Sequence, residues 1–159
     1  MSTRLNYLQQ SSDLFKKLST LSMGVKASGI DSGILYLVDI RASQLNGCAF
    51  CLDMHIKQAK IGGERELRLH HVAIWRESPL FSERERAALA WTEALTRLGE
   101  HGVTDSDYAA ALEQFSEKEL SDLTFAVGII NLWNRLNVAF RNVPGSLDKA
   151  FGLEKAELA

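Results

Sequence analysis

Two residues are proline, Pro79 and Pro144, and two are cysteine, Cys48 and Cys51. So little proline leaves helical hydrogen bonding free to run for long stretches. No uncharged apolar run is long enough to span a bilayer, since even Leu123 to Leu136 is broken by Asn131, Asn134 and Arg135. The opening stretch, Met1 to Gln10, lacks the apolar segment of a signal peptide. A formal net charge of -2 leaves no basic surface excess for nucleic acid or for an anionic membrane. There is no Gly-rich phosphate loop and no nicotinamide or flavin fingerprint, so no cofactor is expected. A cytoplasmic location is the expectation. In a compartment that keeps thiols reduced, two cysteines three residues apart point to catalysis or metal binding rather than a structural staple.

What is present reads as one all-α domain over residues 1–159, large enough to bury a core. About seven helices are expected. After a cap at Ser12, the spacing of Leu14, Phe15, Leu18 and Leu21 predicts a helix with one buried stripe. A second helix begins after Asp31 and turns Ile34, Leu35, Leu37, Val38 and Leu45 toward the core. Asn46-Gly47 breaks it, and a third runs from about Ala49 to Ile61, stopping at Gly62-Gly63. Glu64 to Glu77 reads as one continuous helix burying Leu67, His71, Ile74 and Trp75. Ser82-Glu-Arg-Glu85 is a capping box, in which serine and glutamate satisfy the first free N–H groups reciprocally. Its helix carries Ala87 through Leu98. Thr104-Asp-Ser-Asp107 opens a shorter one to about Phe115. A second box, Ser116-Glu-Lys-Glu119, starts the longest, from Glu117 to about Phe140, apolar on nearly every side and so expected at the centre of the core. Leu147 to Leu158 is a short amphipathic tail.

The chemistry concentrates in Ser43-Gln-Leu-Asn-Gly-Cys48-Ala-Phe-Cys51-Leu-Asp-Met-His55. On a helix, Cys48 and Cys51 stand at i and i+3, Cys51 and His55 at i and i+4, and all three share one face. The positive end of the helix dipole and its unpaired N–H groups favour thiolate over thiol. An ordinary cysteine pKa of about 8.5 falls to roughly 3.5–7.5 in such surroundings. A dithiol beside a base can reduce peroxides: one thiolate becomes a sulfenic acid and the other condenses with it to a disulfide. His55 is one turn from Cys51 and two from Cys48, so Cys51 is the expected nucleophile, Cys48 the resolving thiol and His55 the general base.

Other chemistries compete for the same residues. Cys48, Cys51 and His55 with His70 or His71 would satisfy zinc's tetrahedral preference. His55 follows too closely for the usual second ligand pair, however, and no second Cys-x-x-Cys exists, so no metal is expected. A thioredoxin-type protein would need a strand before the dithiol. A pair of inert buried cysteines, or a non-catalytic thiol switch, uses the same spacing. Asn131-Leu-Trp-Asn134-Arg135 places polar groups in a buried helix, where they must order a neighbouring loop or line a cavity.

The dithiol motif resembles the core of the alkylhydroperoxidase AhpD / carboxymuconolactone decarboxylase family, especially its compact peroxidase-related branch. Trp75-Arg-Glu-Ser, Phe81-Ser-Glu-Arg-Glu-Arg-Ala-Ala-Leu-Ala-Trp91 and Asn131-Leu-Trp-Asn-Arg135 extend the resemblance over residues 34–144. It implies an all-helical AhpD-like fold, peroxidase activity on hydrogen peroxide or organic hydroperoxides, an external dithiol or lipoyl-type reductant, and trimers or hexamers. By position it makes Cys51 peroxidatic, Cys48 its disulfide partner and His55 a water-linked base. The family commonly has a glutamate twelve positions before the first cysteine, completing a proton relay; this chain has Tyr36. Tyrosine can donate a hydrogen bond but, with a pKa near 10, is a poor base at neutral pH. Asp39, one turn further along, is the carboxylate that can partly substitute.

Overall fold

Side-chain caps set where the helices begin. Capping boxes stand at Ser82 with Glu85, Thr104 with Asp107 and Ser116 with Glu119, and the Asp31 carboxylate accepts from the N–H groups of Gly33 and Ile34. The computed structural model describes residues 2–158. Among them lie nine α-helices: α1 (Tyr7–Gln10), α2 (Ser12–Lys26), α3 (Ser32–Asn46), α4 (Ala49–Ile61), α5 (Glu66–His71), α6 (Glu83–Thr96), α7 (Asp105–Leu112), α8 (Glu117–Phe140) and α9 (Asp148–Phe151). Tight 3-10 turns follow at Val72–Glu77 and Leu153–Ala156. The all-α expectation holds. The count exceeds seven partly because Asn6, whose side chain accepts from the Gln9 N–H, nucleates a separate one-turn α1.

α3 occupies the centre and packs against α4, α6 and α8. One of its faces (Ile34, Val38, Ala42) meets Trp91 of α6 and Leu123, Val127 and Ile130 of α8. The other (Leu37, Ile40) meets Ala59 of α4 together with Val72, Trp75 and Phe81. A helix that buries opposite faces carries apolar residues on both, as this one does, with Asp39, Arg41 and Asn46 each bonded to a neighbouring element. The longest helix, α8, is not the centre: it buries one face and leaves Phe125 57% exposed, with Leu132 also exposed. The stripe expected on α2 is only half covered: Phe15 packs edge-on against Trp133 and Leu18 is half-buried, while Leu14 is 68% exposed and Leu21 is also exposed.

The continuous helix expected over 64–77 breaks. Ile74 leaves helical geometry at φ -122°, ψ 29°, and the buried residues become Leu69, Val72 and Trp75 while Leu67 and Ile74 face outward. Tertiary contacts explain it. The Trp75 indole N–H donates to Glu93 at 2.8 Å, and Arg86 donates to the carbonyls of Trp75, Arg76 and Ser78. Those contacts hold Trp75 inward and satisfy carbonyls at the end of the segment, where Pro79 has no N–H to offer Trp75. Among the described residues, no helix is long and apolar enough to cross a membrane.

Candidate active site

The dithiol is positioned by a turn between two helices. Gly47 ends α3 at φ 64°, ψ 31°, left-handed geometry in which a side chain costs about 1 kcal/mol. Cys48 then takes the N-cap position of α4, its sulfur accepting from the Cys51 N–H at 3.3 Å. The two cysteines form a disulfide with Cα atoms 5.4 Å apart.

Polar residues of α8 hold that turn. The Asn46 side-chain amide donates to Asn131 Oδ1 at 2.9 Å and to Asn134 Oδ1 at 2.8 Å. Asn134 donates in turn to Ser43 Oγ at 3.1 Å. Of the two roles open to the Asn131–Asn134 pair, the structure shows the first: they order the break that precedes Cys48.

Cys51 and His55 both line a cavity of about 470 Å³. The two cysteines are equally buried, each 2% exposed, but Cys48 is not part of that lining. His55 Nδ1 lies 2.9 Å from Gln58 Oε1 and 3.3 Å from Asp39 Oδ2. A carboxylate and an amide oxygen both call for a proton on Nδ1, so in the neutral ring the basic lone pair is on Nε2. Burial pushes the Asp39 carboxyl above its ordinary range, with His55 and Lys26 pulling it back. Asp39 therefore occupies the carboxylate position beside the imidazole. Tyr36 lines the same cavity, its ring packed so closely over Gly62 that a Cβ there would come within 2.7 Å, but it makes no hydrogen bond to His55.

Two neighbours of the dithiol, Asn137 and Leu147, were not among the site residues expected from the sequence. Asn137, buried on α8, donates Nδ2–H to Cys51 Sγ at 3.5 Å, and its Oδ1 accepts from Tyr7 Oη at 3.1 Å and from Asn142 Nδ2 at 2.7 Å. Burial raises the Tyr7 phenol above its usual range. A signal was there: Asn131, Asn134 and Asn137 recur every third residue and share one helix face. Beyond α8 the chain returns over α4. Lys57, buried, bonds Asp53 at 2.9 Å and Asp148 at 2.6 Å, while the Gly145 N–H donates to Asp53. This brings Leu147 against Cys48, Phe50 and Cys51.

His70 is exposed, and half-buried His71 bonds Ser78 through Nδ1 at 3.0 Å. Among the described residues, no group of three or more His, Cys, Asp and Glu side chains is arranged to hold a metal ion.

Known proteins resemble this chain in sequence and fold. The profile of the carboxymuconolactone decarboxylase family matches residues 12–94. The uncharacterised protein YdfG of Bacillus subtilis is 35% identical over 142 residues, covering 89% of this chain and 97% of its own. A solved structure from Agrobacterium tumefaciens, of unknown function and provisionally assigned to antioxidant defence as AhpD, is 40% identical with a TM-score of 0.87, over 90% of this chain and 98% of that one. The AhpD core of a peroxidase-related protein from Ralstonia eutropha JMP134 has the same fold at 20% identity, with a TM-score of 0.77 over 87% of this chain and 74% of that one.

Proposed function

The chain belongs to the carboxymuconolactone decarboxylase family, and we propose that it is a thiol-dependent peroxidase of the AhpD type, reducing hydrogen peroxide or organic hydroperoxides through a Cys48–Cys51 disulfide. One observation carries the reading: Cys51 opens onto a cavity it shares with His55, while its bonded partner Cys48 does not line that cavity.

In this reading His55 Nε2 takes the proton of the Cys51 thiol. The thiolate attacks the terminal peroxide oxygen. An S–O bond forms as the O–O bond breaks, and the leaving alkoxide takes the proton back from His55 as an alcohol. Cys48 then attacks the sulfur of the sulfenic acid. An S–S bond forms, and the hydroxyl leaves with the Cys48 proton as water. An external dithiol, of lipoyl type or another, reduces the disulfide by two exchange steps and is itself oxidised to a disulfide. Asp39 steadies the imidazolium, and Tyr36 offers its hydroxyl as a donor from the cavity wall.

The reading includes a cytoplasmic setting, where reductants can reset the pair, and a homo-oligomer, trimer or hexamer. Exposed Leu21, Phe125 and Leu132 line a shallow apolar groove between α2 and α8 that a second copy would cover.

Peroxide consumption with a panel of dithiol reductants is the test. The native protein should turn over steadily, Cys51→Ser should be inactive, and Cys48→Ser should stop after one equivalent with Cys51 as a sulfenic acid. Oxidation that stays stoichiometric in the native protein under every reductant would replace the enzyme with a redox switch.

A further inference from the structure

Resting on the assignment of Cys51 as the attacking sulfur, we propose that Asn137 is a catalytic residue of this site: its side-chain amide stabilises the Cys51 thiolate, held in the donating orientation by Tyr7 and Asn142.

The orientation of that amide is decided by its neighbours. Nδ2 donates to the Trp133 backbone carbonyl at 2.9 Å, and a carbonyl can only accept. Oδ1 accepts from the Tyr7 hydroxyl and from the Asn142 amide. Flipping the group would set Oδ1 against the Trp133 oxygen and Nδ2 against the Asn142 donor, losing bonds on both sides. With one Nδ2 hydrogen committed to Trp133, the second points at Cys51 Sγ, 3.5 Å away. Asn137 is itself buried in the cavity wall, which shields the contact from bulk water.

The contact favours one state of the cycle over another. A disulfide or thiol sulfur is a weak acceptor, whereas a thiolate is a full anion. Hydrogen bonds to an ionised partner are roughly twice as strong as those between neutral groups, and a buried setting strengthens them further. The Asn137 bond therefore tightens when Cys51 is reduced and ionised, lowering its pKa by favouring the charged form. The roles divide. His55 moves the proton, and Asn137 sets how much thiolate exists once it has moved. α1, otherwise a short element at the edge of the fold, gains a purpose in carrying Tyr7 to that amide.

The test reads the thiolate directly, in reduced protein carrying Cys48→Ser so that Cys51 alone titrates. Thiolate absorbance against pH and the rate of iodoacetamide alkylation are measured with Asn137→Ala and Asn137→Asp. The aspartate keeps the acceptors for Tyr7 and Asn142 but replaces the donor with an oxygen. Both should raise the Cys51 pKa and slow alkylation at pH 7 by about tenfold, the worth of one charge-assisted bond. Tyr7→Phe and Asn142→Ala, which leave Asn137 in place but release its orientation, should shift the pKa the same way by less. Should the Asn137 variants fail to fold, this second pair decides. A Cys51 titration unchanged in folded Asn137→Asp, or in both of the second pair, overturns the proposal. Neither readout uses peroxide, so a protein without peroxidase turnover would still report the thiolate shift.

Discussion

Asn46 donates its side-chain amide to Asn134 Oδ1 at 2.8 Å, joining the last residue of α3 to the middle of α8 across 88 positions of sequence. The bond fixes the exit of α3, and with it the turn that sets Cys48 at the head of α4. Asn134 is fully buried and also serves Ser43. Asn134→Ala would leave the buried Ser43 hydroxyl without its donor and take from half-buried Asn46 one of its two acceptors, and chemical denaturation should show a loss of about 1–3 kcal/mol. A denaturation midpoint matching the native protein would mean that the turn is held by other contacts.

His55→Gln should cut peroxide turnover by roughly a hundredfold, the lower end of what a positioned general base contributes, while the disulfide still forms on oxidation. Asp39→Asn should lower turnover less, since Gln58 still orients the ring. Undiminished turnover in His55→Gln would remove the base from the mechanism.

Asp39 also links activity to stability. Its carboxyl is raised above the ordinary value by burial, so the folded protein binds that proton more tightly than the unfolded chain. Its contribution to stability is present at low pH, below the ordinary aspartate value, and lost as pH rises through the folded value. At neutral pH the ionised group is therefore a cost that Asp39→Asn removes. The variant should melt higher than the native protein at pH 7, and this gain should vanish in acid. A lower melting temperature at pH 7 would show that the ion pair with His55 outweighs the burial.

Glu119 behaves in the opposite sense. Hydrogen bonds from the Ser116 backbone and from Arg84 hold its carboxyl down to about 2. Its contribution is present above the ordinary glutamate value and lost as pH falls through the folded value. Glu119→Gln should therefore flatten the decline in melting temperature between about pH 4.5 and 2. An acid decline as steep as in the native protein would contradict this.

Phe125→Glu tests the open face of α8. In sedimentation velocity the native protein should run as an oligomer and the variant as a smaller species with unchanged helix content. Equal sedimentation of both would place any interface elsewhere.

Much of the fold was legible because its signals are local. Capping boxes at Ser82 and Ser116 mark helix starts, since a serine and a glutamate three residues apart satisfy each other's backbone whatever surrounds them. Cys48, Cys51 and His55 were legible for the same reason: the spacing of one helix places them. The break at Ile74 was not, because Arg86 and Glu93, from another helix, capture the groups around Trp75. Leu14 and Leu67 were misjudged because helical period shows that a face is apolar and cannot show whether anything covers it.

The sequence by itself determined the helical class, the Cys48–Cys51 pair and the place of His55 one turn beyond Cys51, all products of backbone geometry over a few residues. Only the tertiary structure decided that Asp39 rather than Tyr36 meets His55, that Asn137 reaches Cys51, and that Cys48 is left out of the cavity lining. Those pairings cross from one helix to another, consecutive for Asp39 and His55 and distant along the chain for Asn137 and Cys51, and their distances come from how whole helices pack, which no short spacing encodes.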